Sequence, residues 1–353
     1  MPRLEEPARR KATLDRRALL VAAPAGLLAA CEPKMPVTVA TTPRIDIEGL
    51  GRAISAIAGA ARPASLGVGL SNLESGQTYI RLGQHRRFPM QSVFKLPLAA
   101  AVLAEADAGR LMLTEPFVLT EEQLSPAVSP IAAGWPARRD YTAQALFEAM
   151  VVDSDNTAAD VLMKRIGGPG AVTAWLTARR VPEVRVDRYE RELQPDVYGM
   201  PSFRPAWRDG ARFAEAQAAV PAPERLAAMR RYMSDPRDTT TPRGMLELLQ
   251  MLDRQELVSP ASTKRLLELM GRTRRGVGRI RAGLPRDAFL AHRPGTSGVD
   301  QGISTAHNDV GIFTLADRRS YALAVFLSGS TLDEAGRDRI IAEVARAALR
   351  AVG

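Results

Sequence analysis

Phe88-Pro89-Met90-Gln91-Ser92-Val93-Phe94-Lys95 runs directly into an apolar stretch at 96–103. The pattern predicts a helix N-terminus. Ser92 is a residue type that caps helices. Pro97 falls early, where the first N–H groups have no intrahelical partner to lose, and Gly109 is a C-terminal stop. Ser92 and Lys95, three residues apart, share one face of a turn. A serine hydroxyl becomes a useful nucleophile only when a base takes its proton. A lysine partly buried at a helix start has its pKa lowered toward that role. Ser-x-x-Lys also arises by chance as a cap serine and a surface lysine, so its weight depends on what the rest of the chain supplies.

On either side, the spacing of apolar residues predicts a helix over 45–61, ending before Pro63, and a hairpin of 65–71 and 77–82 around Ser75-Gly76. Helices are expected over 141–152, 157–166, 171–178, 244–253 and 260–270. Residues 180–245 are broken by eight prolines. The end of the chain changes character, with strand-like runs at 288–292, 309–315 and 321–328 and an amphipathic helix at 332–351. A hairpin near the start and strands near the end, separated by helices, predict an α/β fold. One antiparallel sheet is built from both chain ends and packed with helices, with an all-helical insert between them.

The 353 residues are 46% hydrophobic and 25% charged, ordinary for a soluble enzyme. The net charge is +9, but arginines are interspersed with acids and aromatics are only 5%. That describes a solvated surface rather than a nucleic-acid footprint. His85, His292 and His307 lack metal-ligand spacing, and no Gly-rich phosphate loop follows a strand. Neither metal nor cofactor is therefore expected.

The N-terminus reads as targeting sequence. Arg16-Arg17 precede an apolar stretch at 18–30, too short for a permanent membrane span. It ends in Leu28-Ala29-Ala30-Cys31, which holds the only cysteine in the chain. This resembles the lipobox of bacterial lipoproteins, with Cys31 the lipidated first residue of the mature protein. Leu14-Asp15-Arg16-Arg17-Ala18-Leu19-Leu20 also resembles a twin-arginine export signal, although the aspartate is atypical. The expected organisation is a signal peptide at 1–30, a proline-bearing tether at 31–45 and a catalytic domain at 46–353. Within that domain, a sheet subdomain is expected from about 46–86 and 285–353 and a helical one from 87–284. The expected location is exported and periplasmic, attached to a membrane through the lipid, with the domain a monomer.

Three further motifs follow Ser92-x-x-Lys95 in order. They are Ser154-Asp155-Asn156, then Asp187-Arg188-Tyr189-Glu190-Arg191-Glu192-Leu193, then His292-Arg293-Pro294-Gly295-Thr296-Ser297-Gly298. Together they resemble the class A serine β-lactamases over residues 46–353. The segment Arg237-Asp238-Thr239-Thr240-Thr241-Pro242 resembles the one that follows that family's Ω-loop.

The resemblance implies hydrolysis of β-lactam antibiotics, with Ser92 as nucleophile. Either Lys95, directly, or Glu190, through a water, would take its proton. The backbone N–H groups of Ser92 and Thr296 would form the oxyanion hole, and Ser154 would pass a proton to the departing nitrogen. Asn156 would hold a substrate amide, Asp155 would brace the local fold, and Glu190 would activate the deacylating water. Arg188 and Asp238 would pair across the neck of an enlarged Ω-loop region at about 187–238.

Two positions depart from the family pattern. Gln194 stands where asparagine usually helps hold the deacylating water. Arg293-Pro294-Gly295 replaces the usual Lys-Thr-Gly. Arg293 keeps the cation and could clamp a substrate carboxylate through two bonds, but Pro294 lacks the hydroxyl. Thr296, Ser297 and Arg279 are expected to compensate. Val128 occupies the place of a common aromatic gatekeeper. The competing readings are a peptidoglycan peptidase, which would lack Glu190, and a penicillin-binding protein or sensor that acylates without efficient turnover.

Overall fold

The computed structural model describes residues 44–81, 86–126 and 128–353; Cys31, the targeting stretch and most of the tether lie outside them. The first helix, α1 (Ile47–Ala60), is capped by Asp46, whose side chain accepts the Gly49 N–H. Strands β1 (Ser65–Asn72) and β2 (Thr78–Arg81) form the expected hairpin. Helix α2 (Lys95–Asp107) is followed by Gly109 at φ 71°. Next come α3 (Asn156–Arg165), α4 (Glu190–Val197), α5 (Gly210–Ala219), α6 (Ala222–Ser234), α7 (Pro242–Asp253) and α8 (Pro260–Gly271). The chain closes with β3 (Phe289–Thr296), β4 (His307–Thr314), β5 (Ser320–Ser328) and α9 (Glu334–Ala351).

The five strands form one antiparallel sheet in the order β2-β1-β5-β4-β3. Period-two alternation divides its side chains between two cores. Leu66, Val68 and Leu70 of β1 and Leu323, Val325 and Leu327 of β5 face a cluster that includes Leu50, Ile54, Ile341 and Val344 of α1 and α9. Ala322, Ala324 and Phe326 face the other way, into a larger cluster with the apolar residues of α2, α3 and α7. Helix α2 is buried from Lys95 through Leu103, as its uninterrupted apolar sequence requires. The sheet of both chain ends and the helices between them match the expected fold class.

Two local expectations are corrected. Ser92 does not cap an α-helix. It lies within a tight 3₁₀ turn, Gln91–Phe94, that leads into α2, and its hydroxyl is occupied elsewhere. The helix expected over 141–152 begins at Ala143, after a short strand Asp140–Thr142, and its last turn, Ala149–Asp153, widens to π geometry.

The proline-rich segment after α4 has its own small core, containing Val197, Tyr198, Trp207, Phe213, Met229 and Tyr232. The helix formers at 214–233 divide between α5 and α6 because Pro221 breaks the run and caps the second helix.

Candidate active site

Helix α2 begins beside the edge strand β3, and that proximity assembles the site. Gly295 makes the approach possible, since a Cβ there would stand 2.3 Å from the Met90 carbonyl oxygen. Lys95 Nζ donates to Ser92 Oγ at 2.9 Å, Asn156 Oδ1 at 2.6 Å and Glu190 Oε1 at 2.7 Å. Burial lowers the Lys95 pKa; the carboxylate of Glu190 opposes this only in part. Ser154 Oγ lies 3.1 Å from Ser92 Oγ. Its backbone is left-handed at φ 65°, between the π-helical turn and α3, a strained conformation of the kind that collects at functional sites. Asp155 caps α3 and accepts the N–H groups of Ala158 and Ile131, both at 2.8 Å. Asn156 also donates to the Pro126 carbonyl at 3.0 Å.

Glu190 is the first residue of α4 and is buried. Gln194, one turn later, reaches its second oxygen, with Nε2 to Oε2 at 2.7 Å. Asp160 on α3 was not singled out in the sequence, yet it holds the start of α4. Its Oδ1 accepts the Glu190 N–H at 2.7 Å and its Oδ2 accepts the Arg191 N–H at 3.1 Å. Ser125 Oγ donates to the same carboxylate at 2.6 Å. Burial raises the Asp160 carboxyl from an ordinary 3.8 to about 7, with help from the nearby Glu190.

The expected pair at the loop neck forms. Arg188 Nε donates to Asp238 Oδ2 at 2.6 Å, and Asp238 Oδ1 accepts the N–H groups of Asp187 and Arg188 at 2.7 and 3.0 Å. The Asp238 carbonyl also accepts the Met90 N–H at 3.0 Å, which ties the neck to the turn carrying Ser92.

The edge strand brings the largest correction. Arg293 is 1% exposed and does not clamp ligands from the cleft wall. Three of its five N–H groups go to the Ser92 carbonyl at 2.9 Å, the Val151 carbonyl at 2.8 Å and Ser154 Oγ at 2.5 Å. Burial pushes this guanidinium down from 12.5 to about 9, which leaves it cationic at neutral pH. It supplies charge from behind the cleft and orients Ser154. Ser297 is also turned inward, with Oγ donating to the Gly298 carbonyl at 3.0 Å and accepting the Ala306 N–H at 3.1 Å.

Thr296 is exposed, and Arg279 Nη2 donates to its Oγ1 at 2.6 Å. Arg279 is itself fixed by Asp338 and the Asn308 carbonyl, at 2.9 and 2.8 Å. Because Ser297 N–H donates to Ala306 and Thr296 lies opposite His307, alternation turns the Thr296 N–H away from β4 and toward the open edge. Position 294 has the same orientation, so proline there sacrifices no ladder bond. Gly276 packs against its ring, where a Cβ would be 2.9 Å from Pro294 Cβ.

These groups border a cleft of about 460 Å³, with Ser92, Ser154, Asn156, Gln194 and Thr296 in its lining. Val128 is 42% exposed at its rim. Arg275, held by Nε to the Asp153 carbonyl at 2.7 Å, adds a second guanidinium that the motifs did not reveal.

A family model described as the beta-lactamase enzyme family matches residues 49–352. The chain is similar to beta-lactamase VEB-1 of Pseudomonas aeruginosa, at 28% identity over 81% of this chain and 85% of that protein. It is also similar to beta-lactamase L2 of Stenotrophomonas maltophilia, at 30% identity over 95% of this chain and 93% of that one. Among solved structures, a beta-lactamase from Chitinophaga pinensis superposes with a TM-score of 0.71 at 31% identity, covering 86% of this chain and 99% of that chain. The last common ancestor of Gram-negative class A beta-lactamases gives a TM-score of 0.70 at 31% identity, covering 86% and 100%. The chain therefore belongs to the beta-lactamase enzyme family, and its fold is that of the class A serine β-lactamases.

Proposed function

We propose that this enzyme hydrolyses β-lactams through an acyl-enzyme on Ser92 that is released by water activated at Glu190. The observation that carries this reading is the position of Lys95 Nζ, within hydrogen-bond distance of Ser92, Asn156 and Glu190 together. Ser92 Oγ attacks the lactam carbonyl carbon, and its proton leaves either to Lys95 directly or to Glu190 through a water. The oxyanion is held by the N–H groups of Ser92 and Thr296. Ser92 is the second residue of its 3₁₀ turn, so its N–H has no partner within that turn.

As the C–N bond breaks, Ser154 gives its proton to the departing nitrogen and takes back, through Lys95, the proton that Ser92 lost, so that Glu190 is again a carboxylate; Arg293 behind Ser154 favours the charge changes. A water held by Glu190 and Gln194 then loses a proton to the carboxylate and attacks the ester. The Ser92 Oγ–carbonyl bond breaks, and the serine recovers its proton. Asn156 faces the cleft to meet a substrate amide. Thr296, oriented by Arg279, donates its hydroxyl to the substrate carboxylate, with the charge of Arg293 beneath.

Glu190 with Gln194 at its side favours turnover over a protein that stays acylated. A chromogenic cephalosporin assay beside fluorescent-penicillin labelling separates the two. Many turnovers per enzyme support hydrolysis, whereas one lasting stoichiometric label contradicts it. The enzyme is read as an exported lipoprotein attached through Cys31, on the strength of the lone cysteine after Leu28-Ala29-Ala30.

A further inference from the structure

Glu190 and Gln194 belong to a longer hydrogen-bonded chain that leaves the cleft and enters the inserted helices. Gln91, next to the nucleophile, is 2% exposed and has φ 46°, a left-handed backbone rarely adopted by a non-glycine residue. Its side-chain amide bridges two elements. Nε2 donates to Tyr232 Oη at 2.8 Å, and Oε1 accepts from Gln194 Nε2 at 3.1 Å. Gln194 Nε2 in turn donates to Glu190 Oε2 at 2.7 Å. Whichever way protons are arranged along the chain, it ends with Gln194 donating, because an ionised carboxylate only accepts.

Tyr232 is the outer end of this chain and lies on α6, within the segment that follows α4. It is 4% exposed. The Arg188 guanidinium lies 5.8 Å from its ring centroid, and Arg188 is paired to Asp238. Helix α6 is anchored a second time at its other end, where Arg225 Nε meets Asp300 Oδ2 at 2.6 Å, and Gln217 of α5 donates to the same oxygen at 3.1 Å. Asp300 belongs to the short hairpin after β3. The inserted helices therefore grip both the Ω-loop neck and the far side of the cleft. Their one buried hydroxyl near the catalytic residues is aimed at Gln91.

We propose that Tyr232 is a positioning residue for deacylation, its hydroxyl fixing the Gln91 amide and, through Gln194, the Glu190 carboxylate and its water. This rests on the reading of Glu190 as the water activator. Without the hydroxyl, the Gln91 amide is buried with one partner missing and is free to rotate, which releases Gln194 from its alignment on Glu190. Lys95 keeps its contacts with Ser92, Asn156 and the Oε1 of Glu190, whereas Gln194 aligns Oε2, and Ser154 is held by Arg293, so acylation depends less on this chain than deacylation does.

The test is Tyr232→Phe, with benzylpenicillin as the probe, followed by stopped-flow acylation, steady-state turnover and intact mass. The wild type turning over is the control for hydrolysis itself; a wild type that only acylates contradicts the proposed function, and this inference with it. With a working wild type, Tyr232→Phe should lower kcat about three- to tenfold, the range expected for one lost hydrogen bond acting at a distance. The acyl-enzyme fraction at steady state should rise, while the acylation rate stays within about twofold. Gln91→Met, a near-isostere that breaks the same chain without touching α6, should give the same split. The double variant should lose no more than the worse single one. Unchanged kcat and acyl-enzyme fraction in both variants would overturn the proposal. So would equal losses in acylation and deacylation, which indicate general loosening rather than positioning.

Discussion

Lys95 Nζ and Glu190 Oε1 lie 2.7 Å apart with neither side chain exposed to solvent. Two charges buried this deeply are held only by each other and by their remaining hydrogen bonds, here from Gln194 to the carboxylate and from the ammonium to Ser92 and Asn156. The pair joins the two halves of the reaction. In the proposed mechanism Lys95 serves acylation and Glu190 deacylation, and a proton passed between them would not enter bulk water.

The Ω-loop neck depends on Asp238. Its buried carboxylate meets the buried Arg188 guanidinium and the backbone N–H groups of Asp187, which is half-buried, and Arg188. Asp238→Asn removes the most buried counter-charge of Arg188, which keeps the more exposed Asp196 at 2.5 Å and Asp235 at 3.5 Å. The loss should therefore fall below the ~3–5 kcal/mol of a lone buried pair, at about 1–3 kcal/mol. Chemical denaturation should show a loss on that scale, and acyl-enzyme should accumulate before acylation slows. Wild-type stability together with wild-type deacylation would remove this pair from the account of the loop.

The proposed compensation for the departure at Arg293-Pro294 is Thr296 held by Arg279. Arg279→Ala removes the donor that fixes the Thr296 hydroxyl and should raise KM roughly tenfold or more, the scale of a hydrogen bond to a charged group. Pro294→Thr should change kcat/KM by less than about threefold, because the Thr296 hydroxyl already serves the carboxylate. Arg293→Ala should lower kcat more than it raises KM, since the buried guanidinium holds Ser154 rather than the ligand. Steady-state kinetics on one penicillin and one cephalosporin decides all three. A large gain from Pro294→Thr would show that the hydroxyl is missed.

Asp160 gives the fold a pH signature. Its folded-state pKa, about 7, lies above the ordinary 3.8. The native protein therefore binds this proton more tightly than the unfolded chain does. Its stabilising contribution is full below about pH 4 and is lost as pH rises toward 7. Melting curves from pH 5 to 8 should show that decline. Asp160→Asn should flatten it and loosen the start of α4, because an amide N–H₂ then faces donors at Ser125, Glu190 or Arg191. An unchanged pH slope in the variant would assign the decline to other groups.

Cys31 tests the anchor. Cys31→Ser should release the protein from the membrane fraction and leave catalysis unchanged. A variant that still sediments with membranes in mild salt would contradict the lipoprotein reading.

The helix at 45–61, the first hairpin and the last three strands are legible because periodicity, Gly/Pro punctuation and caps agree there with the tertiary fold. The motifs located the cleft because Ser92, Lys95, Ser154, Asn156 and Glu190 are short-range signatures on separate elements. Asp160, Gln91 and Tyr232 were not legible, because each matters through partners that lie far away in sequence: Asp160 under Glu190, and Gln91 between Tyr232 and Gln194. Arg293 departs from its expected place for the same reason. The sequence shows a cation on an edge strand, but only the packing of β3 on the Ser92 turn and the π-helical segment shows that it is buried and that each of its nitrogens already holds a partner.

The central claim is the division of labour between Ser92 and Glu190, and trapping the intermediate tests it most directly. Glu190→Gln keeps an acceptor for Lys95 but removes the base for deacylation. Mixed with benzylpenicillin and read by intact mass, the variant should gain one penicilloyl group, mapped to Ser92 by peptide analysis, and should hold it while the wild type returns to its free mass. Turnover by Glu190→Gln at the wild-type rate, or an adduct on any residue other than Ser92, would contradict the mechanism.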